Sequence, residues 1–171
     1  MREVYKFIVV SCAVLLIGCG GKGPQLPSRR MGEEPKIDSV QQELMLMNAR
    51  LASEADKELR HFVKVSGENY ALNDRGTWVL FLDYGDEGRR KVRRNEHCDV
   101  HMRVYSLTGQ LYQDEALVAK IGQNELPPGI DWNIFEWNHG AKVRLLIPWY
   151  SAYGAQGTDA IPPYENVMID S

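Results

Sequence analysis

The chain has 171 residues, enough for one domain with short additions, and its hydrophobic fraction of 44% and charged fraction of 25% are those of a globular protein. Its formal net charge is −3, so there is no basic surplus with which to hold a phosphate backbone. Composition therefore argues against nucleic acid as a main partner.

The N-terminus has the features of a bacterial targeting signal. Arg2 and Lys6 precede an apolar stretch, 7–17, that is too short for a typical membrane span. The stretch ends in Leu-Ile-Gly-Cys at 16–19, which resembles the lipobox of bacterial lipoproteins. We therefore expect a signal peptide at 1–18 and a lipid on Cys19, with an ordinary secretory peptide as the alternative.

The expected mature protein is anchored to a membrane leaflet in the bacterial cell envelope, on the periplasmic side of the outer membrane. Residues 19–37 are rich in glycine, proline and charge and have no periodicity, so they are interpreted as a lipidated tether.

An amphipathic helix is predicted over 38–65, because Asp38 or Ser39 can cap it and apolar residues then recur at helical spacing. This stripe consists of Val40, Leu44, Met47, Leu51, Ala55, Leu59 and Phe62. Packing on its own domain and pairing with a second copy of the chain both remain open for it.

Strands are predicted beyond this helix. A turn at 72–76 leads into a strand at 77–84, and after a second turn at 85–88 the sheet continues through Val92 and 100–105. The basic run 89–94 is expected to be a solvated hairpin, and binding to acidic lipid or an acidic partner is the alternative.

Cysteine and histidine usage predicts neither a disulfide nor a metal site. Cys12 lies in the signal peptide and Cys19 is the lipidation site, so Cys98 is left without a partner and is expected to be a small buried residue. His97 and His101 can share one face of a strand, but no further ligand follows at a usual spacing.

The C-terminal stretch 140–171 carries the most information. Val143, Leu145 and Ile147 alternate as on a strand with one buried face, and Pro148 ends that strand. A loop containing two glycines follows, and a last strand is predicted at 166–170.

Three segments in this stretch carry a resemblance to a known family. Ile-Pro at 147–148, Ala-Tyr-Gly-Ala-Gln-Gly at 152–157 and Ile-Pro-Pro at 161–163 resemble the C-terminal half of an FKBP-type peptidyl-prolyl cis-trans isomerase. The resemblance implies an α+β fold over 66–171, with a bent antiparallel sheet of about five strands wrapped over a short helix at 130–138. The run 104–112 further resembles lipid-anchored members of the family, the gliding-motility-associated lipoproteins of Bacteroidetes.

The resemblance also implies a binding site. It places Tyr112 and Tyr153 in the catalytic positions and the substrate-binding positions at Met102, Leu117, Leu126, Pro127, Ile130, Ile161 and Ile169. Several of these residues are aliphatic where the family has aromatic walls, Gln113 stands where the family has aspartate, and Pro127 has no N–H to donate.

The implied function is isomerisation of X-Pro bonds in proline-containing exported polypeptides, with no cofactor and no metal. A non-catalytic binding or chaperone lipoprotein of the same fold is the main alternative, because of the replaced aromatics and Pro127. A purely structural lipoprotein is the third.

Overall fold

The structure is a computed structural model, and it describes residues 39–85 and 90–171. The predicted signal peptide, Cys19 and the tether lie outside the described residues, as do most of the turn 85–88 and Arg89. The helices are α1 (Ser39–Ser66) and α2 (Pro128–Asp131), with 3-10 turns at Ile134–Glu136 and Trp149–Ser151. The strands are β1 (Ala71–Leu72), β2 (Trp78–Asp83), β3 (His97–Ser106), β4 (Leu111–Lys120), β5 (Lys142–Ile147) and β6 (Val167–Asp170).

All the strands belong to one antiparallel sheet in the order β1-β2-β5-β6-β3-β4. The α+β fold with its N-terminal helix is confirmed, although the sheet has six strands rather than about five. The additional strand is the two-residue β1. It pairs with β2 across a tight turn, in which the side-chain oxygen of Asn73 accepts the backbone N–H groups of Arg75 and Thr77, both at 3.0 Å.

Alternating side chains form two apolar clusters on the two faces of the sheet. On β5, Val143, Leu145 and Ile147 belong to one cluster, as predicted, whereas Leu146 belongs to the other. The central cluster lies against α2, and its fully buried members include Val104, Ile121, Ile130, Val143, Leu145, Ile147, Ile161, Val167 and Ile169. The helix-side cluster consists of Leu59, Tyr70 and Leu146, with Phe62, Val63, Trp78, Leu80, Leu107 and Met168 around them.

Only the C-terminal half of α1 packs on the sheet. Ala55 and Leu59 are buried, whereas Val40, Leu44 and Met47 near the start of the helix are about half exposed. The predicted stripe is therefore covered by its own domain over only part of its length. Among the described residues, no helix is both long and apolar enough to cross a membrane.

The helix predicted at 130–138 is wrong in position and length. The α-helical turn begins earlier, because Pro128 has no N–H and a fixed φ that suits the first helical position. It ends early because the buried side chain of Asn133 donates to the Gly129 carbonyl at 2.6 Å and accepts from the amide of Asn73. These side-chain bonds compete with a continuing helix.

The basic residues in the described part of the run are exposed, as expected of a solvated segment, and three of them also contact other side chains. Arg90 forms an ion pair with Glu96, Lys91 pairs with Glu136, and the guanidinium of Arg94 lies over a phenylalanine ring. Arg90 and Lys91 are thus each paired with a carboxylate at the surface.

Candidate active site

All the residues assigned to the pocket except Pro127 belong to the central apolar cluster or pack against it. The buried members of the central cluster include Met102, Leu126, Ile130, Ile161 and Ile169, and three more of the assigned residues pack against that cluster, Tyr112, Leu117 and Tyr153. These residues come from β3, β4, β6, α2 and the long β5–β6 loop. The sheet topology is therefore what gathers them, because β3 lies between β4 and β6.

The aliphatic residues assigned to the site are more deeply buried than the side chains that line an open pocket. Ile130 and Ile169 are 0% exposed and Ile161 is 1% exposed, so their side chains close the bottom of the site. Only Tyr112, Leu117 and Tyr153 reach partly to the surface. Tyr112, Leu117 and Tyr153 thus pack on buried aliphatic side chains, which form an apolar floor beneath them.

Tyr112 is positioned by a β-bulge at the start of β4. Tyr105 pairs with Leu111, and the next residue back, Val104, pairs with Gln113, which leaves Tyr112 as the additional residue. Such a bulge changes the direction of a side chain, and here the ring packs on the central cluster while its hydroxyl donates to Glu165 Oε1 at 2.9 Å. Burial, together with Glu165, raises the pKa of Tyr112.

Tyr153 lies in the β5–β6 loop, whose backbone is fixed on both sides of it. The N–H of Gly154 donates to the Trp149 carbonyl at 2.8 Å, and the Gly154 carbonyl accepts from Tyr164 at 3.2 Å. Gly154 itself has a φ of +73°, which favours glycine at this position. Burial, followed by the charge of Glu115, raises the pKa of Tyr153 to about 12. Within 39–85 and 90–171 its hydroxyl has no hydrogen-bond partner, so this neutral donor is available to a ligand.

Two carboxylates at the margin were not predicted from the sequence. Glu165 accepts from Tyr112, and Glu115 lies near enough to Tyr153 to raise its pKa. Gln113, the residue in place of the family's aspartate, donates its side-chain amide to Glu115. Glu115 could have been found from the strand, because residues two apart share a face, whereas nothing local indicated Glu165.

Pro127 precedes α2 and contributes acceptors only. Its carbonyl accepts the N–H groups of Ile130 at 2.8 Å and Asp131 at 3.0 Å, and its ring nitrogen has no hydrogen to offer. The buried Asp131 carboxylate accepts the N–H of Gly122 at 2.8 Å and so holds the preceding loop against the helix.

Residues able to hold a metal ion lie elsewhere in the fold. His97 and His101 are exposed on β3, where His101 pairs with Asp114, whereas Cys98 points inward. The inward face brings Cys98 together with Glu96 and His139, whose ligand atoms lie within 4.8 Å of one another. His139 could not be recognised from local spacing, because it comes from a turn that is distant in sequence.

Comparisons with known proteins agree with this fold. Residues 88–170 match the model of a family described as FKBP-type peptidyl-prolyl cis-trans isomerase. The comparison with curated proteins found no significant match.

Solved structures of this fold are similar over most of the chain. A peptidyl-prolyl cis-trans isomerase from Pseudomonas syringae pv. tomato is 22% identical with a TM-score of 0.57, and the match covers 70% of this chain and 90% of that one. FkpA from Escherichia coli is 18% identical with a TM-score of 0.58, over 79% of this chain and 71% of that one. AtFKBP13 is 22% identical with a TM-score of 0.53, over 60% and 94% respectively.

The family match and the folds of these structures agree with each other. Residues 88–170 match the FKBP-type peptidyl-prolyl cis-trans isomerase family, and the chain has the fold of these solved structures.

Proposed function

We propose that the protein is a peptidyl-prolyl cis-trans isomerase that assists the folding of exported, proline-containing polypeptides. The observation that carries this proposal is the Tyr153 hydroxyl, a neutral donor without a partner among the described residues, on a ring that packs on the same apolar cluster as Tyr112. This is the arrangement that rotation about an X-Pro bond requires.

The barrier to that rotation is about 20 kcal/mol and arises from amide resonance, which places charge on the carbonyl oxygen. No nucleophile or metal is needed. A dry surface that receives the proline ring and strips water from the carbonyl favours the twisted, less polar amide. Tyr112 and Tyr153 supply aromatic surface, and Tyr153 can donate to a substrate carbonyl.

A non-catalytic binding module is the second candidate, and two observations favour it. Pro127 cannot supply a backbone donor, and Ile130, Ile161 and Ile169 leave little of the floor accessible. A missing neutral hydrogen bond costs about 1 kcal/mol, so the lack of this donor alone predicts weaker catalysis and not its absence.

The test is refolding of a protein limited by a trans-to-cis proline step, with and without the full-length chain in detergent. We expect the slow phase to accelerate, and Tyr153→Phe to reduce the acceleration roughly fivefold, as expected for a loss of about 1 kcal/mol. Tyr164→Phe is the matched control, because that ring lies in the same loop and packs on Trp149 instead of the central cluster. Peptide binding without acceleration of refolding would favour the second candidate, a non-catalytic binding module.

Location in the cell envelope is a separate proposal that rests on the Leu-Ile-Gly-Cys run at 16–19. A diacylglyceryl group on Cys19 would hold the protein on a membrane leaflet, where exported polypeptides emerge. Metabolic labelling with a fatty-acid analogue should mark the wild type and not Cys19→Ala. Equal labelling of both would exclude lipidation at this cysteine.

Self-association through α1, within 38–65, is a further proposal. Its support is the exposed start of the helix, where Val40, Leu44, Met45, Leu46 and Met47 are each between 47% and 65% exposed. An apolar surface of this kind is favourably covered by an identical helix. Light scattering of wild type and a Leu44→Glu, Met47→Glu variant should give a dimer and a monomer, and a monomeric wild type would exclude the pairing.

A further inference from the structure

A second group of reactive side chains lies apart from the tyrosines. Glu96 precedes β3, Cys98 is the second residue of that strand, and His139 lies in the turn before β5. The turn is held against the segment before β3 by the N–H of His139, which donates to the Arg90 carbonyl at 3.4 Å. The ligand atoms of the three residues converge within 4.8 Å.

The imidazole of His139 is the first indication that something is bound here. Its Nε2 atom is buried and makes no hydrogen bond within the described residues. The nearest partner, Glu96 Oε1, is 3.4 Å away, longer than a good hydrogen bond. Two ligands about 2.0–2.2 Å from one tetrahedral zinc ion lie roughly 3.3–3.5 Å apart, so this separation fits a shared metal.

Glu96 has one acceptor position left, and it lies on the oxygen that faces His139. An ionised carboxylate has about four lone-pair positions. Oε2 accepts Arg90 Nη1 at 2.9 Å and the Arg93 N–H at 3.0 Å, while Oε1 accepts Arg90 Nη2 at 2.5 Å. Arg90 thus orients the carboxylate in the way that outer-shell partners orient metal ligands.

A nucleophilic cysteine is a poorer explanation of the same group. Cys98 is buried, and the Glu96 carboxylate lies close to its sulfur. A reactive cysteine needs the opposite environment. A divalent cation, in contrast, supplies the positive charge that a buried thiolate requires.

We propose that Glu96, Cys98 and His139 bind a zinc ion with its fourth position open. Sulfur, nitrogen and oxygen ligands together suit a metal of borderline softness, and zinc accepts all three. Cys98 and His139 also line a cavity of about 270 Å³, so a water or a small ligand can take the remaining position. The ion would join β3 to the turn before β5.

The experiment uses the full-length chain, stripped with a chelator and titrated with zinc chloride or cobalt chloride. We expect one zinc per chain and, with cobalt, the charge-transfer absorption of a thiolate ligand. Cys98→Ser should abolish that absorption, because Cys12 lies in the expected signal peptide and Cys19 is the expected lipidation site. Cys98→Ser, His139→Gln and Glu96→Gln should each weaken zinc binding at least about 100-fold, the upper end of the loss seen for outer-shell partners.

His101→Gln is the matched control, because this exposed histidine lies on the same strand and pairs with Asp114. It should bind zinc like the wild type. If Cys98→Ser does not fold, His139→Gln decides the question, because its side chain lies on a partly exposed turn. Absence of stoichiometric zinc, zinc binding that survives His139→Gln, or cobalt binding without thiolate absorption would overturn the proposal.

Discussion

Truncation of Leu59 tests whether α1 is an integral part of the folded domain. Leu59 is 0% exposed and lies at the centre of the helix-side cluster, between α1 and the outer face of the sheet. Leu59→Ala removes three carbon atoms, worth about 2.4 kcal/mol at 0.8 kcal/mol for each. The cavity left behind raises the expected loss of unfolding free energy to about 3–4 kcal/mol.

Val65→Ala is the control, because it also shortens an aliphatic side chain on the same helix, at a position that is 71% exposed and outside the surface proposed for self-association. Its effect should stay within about 0.5 kcal/mol, as for most surface substitutions. Urea denaturation followed by circular dichroism measures both variants at equal protein concentration. Equal losses in the two variants would show that the helix does not pack on the sheet as described, and the reasoning would fail.

Three further outcomes are expected. Asp170→Asn should lower the unfolding free energy by roughly 1.5–3 kcal/mol in urea, because the half-buried Arg144 donates to both carboxylate oxygens of Asp170 at 2.6 and 3.0 Å; Glu54→Gln, in an exposed pair, should cost less than about 0.5 kcal/mol. The Tyr153 pKa is raised from 10.0 to about 12, so the contribution of Tyr153 to the free energy of unfolding should be constant below pH 10 and lost as the pH rises through 12. Ultraviolet titration of wild type against Tyr153→Phe follows the ionisation itself. Gly129→Ala should lower the melting temperature, because its Cβ would lie 2.5 Å from Ile147 Cγ2 in a fully buried position.

The strands could be predicted because their period is local. Val143, Leu145 and Ile147 lie on one face and belong to the central cluster, whereas Leu146 lies on the other face and belongs to the helix-side cluster, as a two-residue period requires. The short helix could not be placed, because its end is set by the side chain of Asn133, which bonds to Asn73 on a distant turn. A local pattern carries no information about such a partner.

The candidate site, like the fold, could be predicted only in part. The resemblance placed the apolar residues, which the fold then gathered into one cluster, but it did not indicate that Ile130 and Ile169 would be wholly buried. Glu165 and His139 were missed because the residues they approach are distant in sequence. Glu165 accepts from Tyr112, and His139 lies close to Glu96 and Cys98. Tertiary contacts of this kind appear only when the topology is known.

The contacts of α1 link the helix to the loop that carries Tyr153. Asp56 accepts from the Tyr150 hydroxyl at 2.8 Å, and Glu58 accepts from the Asn166 side chain at 2.6 Å. Asn166 in turn accepts the N–H of Trp149 at 3.0 Å, and the Trp149 carbonyl accepts the N–H of Gly154. If Leu59→Ala releases the helix, the hydrogen bonds at both ends of the loop are lost. The Tyr153 hydroxyl would then no longer be held in one position. In the proposed isomerase function, the effect of Tyr153 on rate would depend on that position, because a donor contributes to rate only where the carbonyl twists.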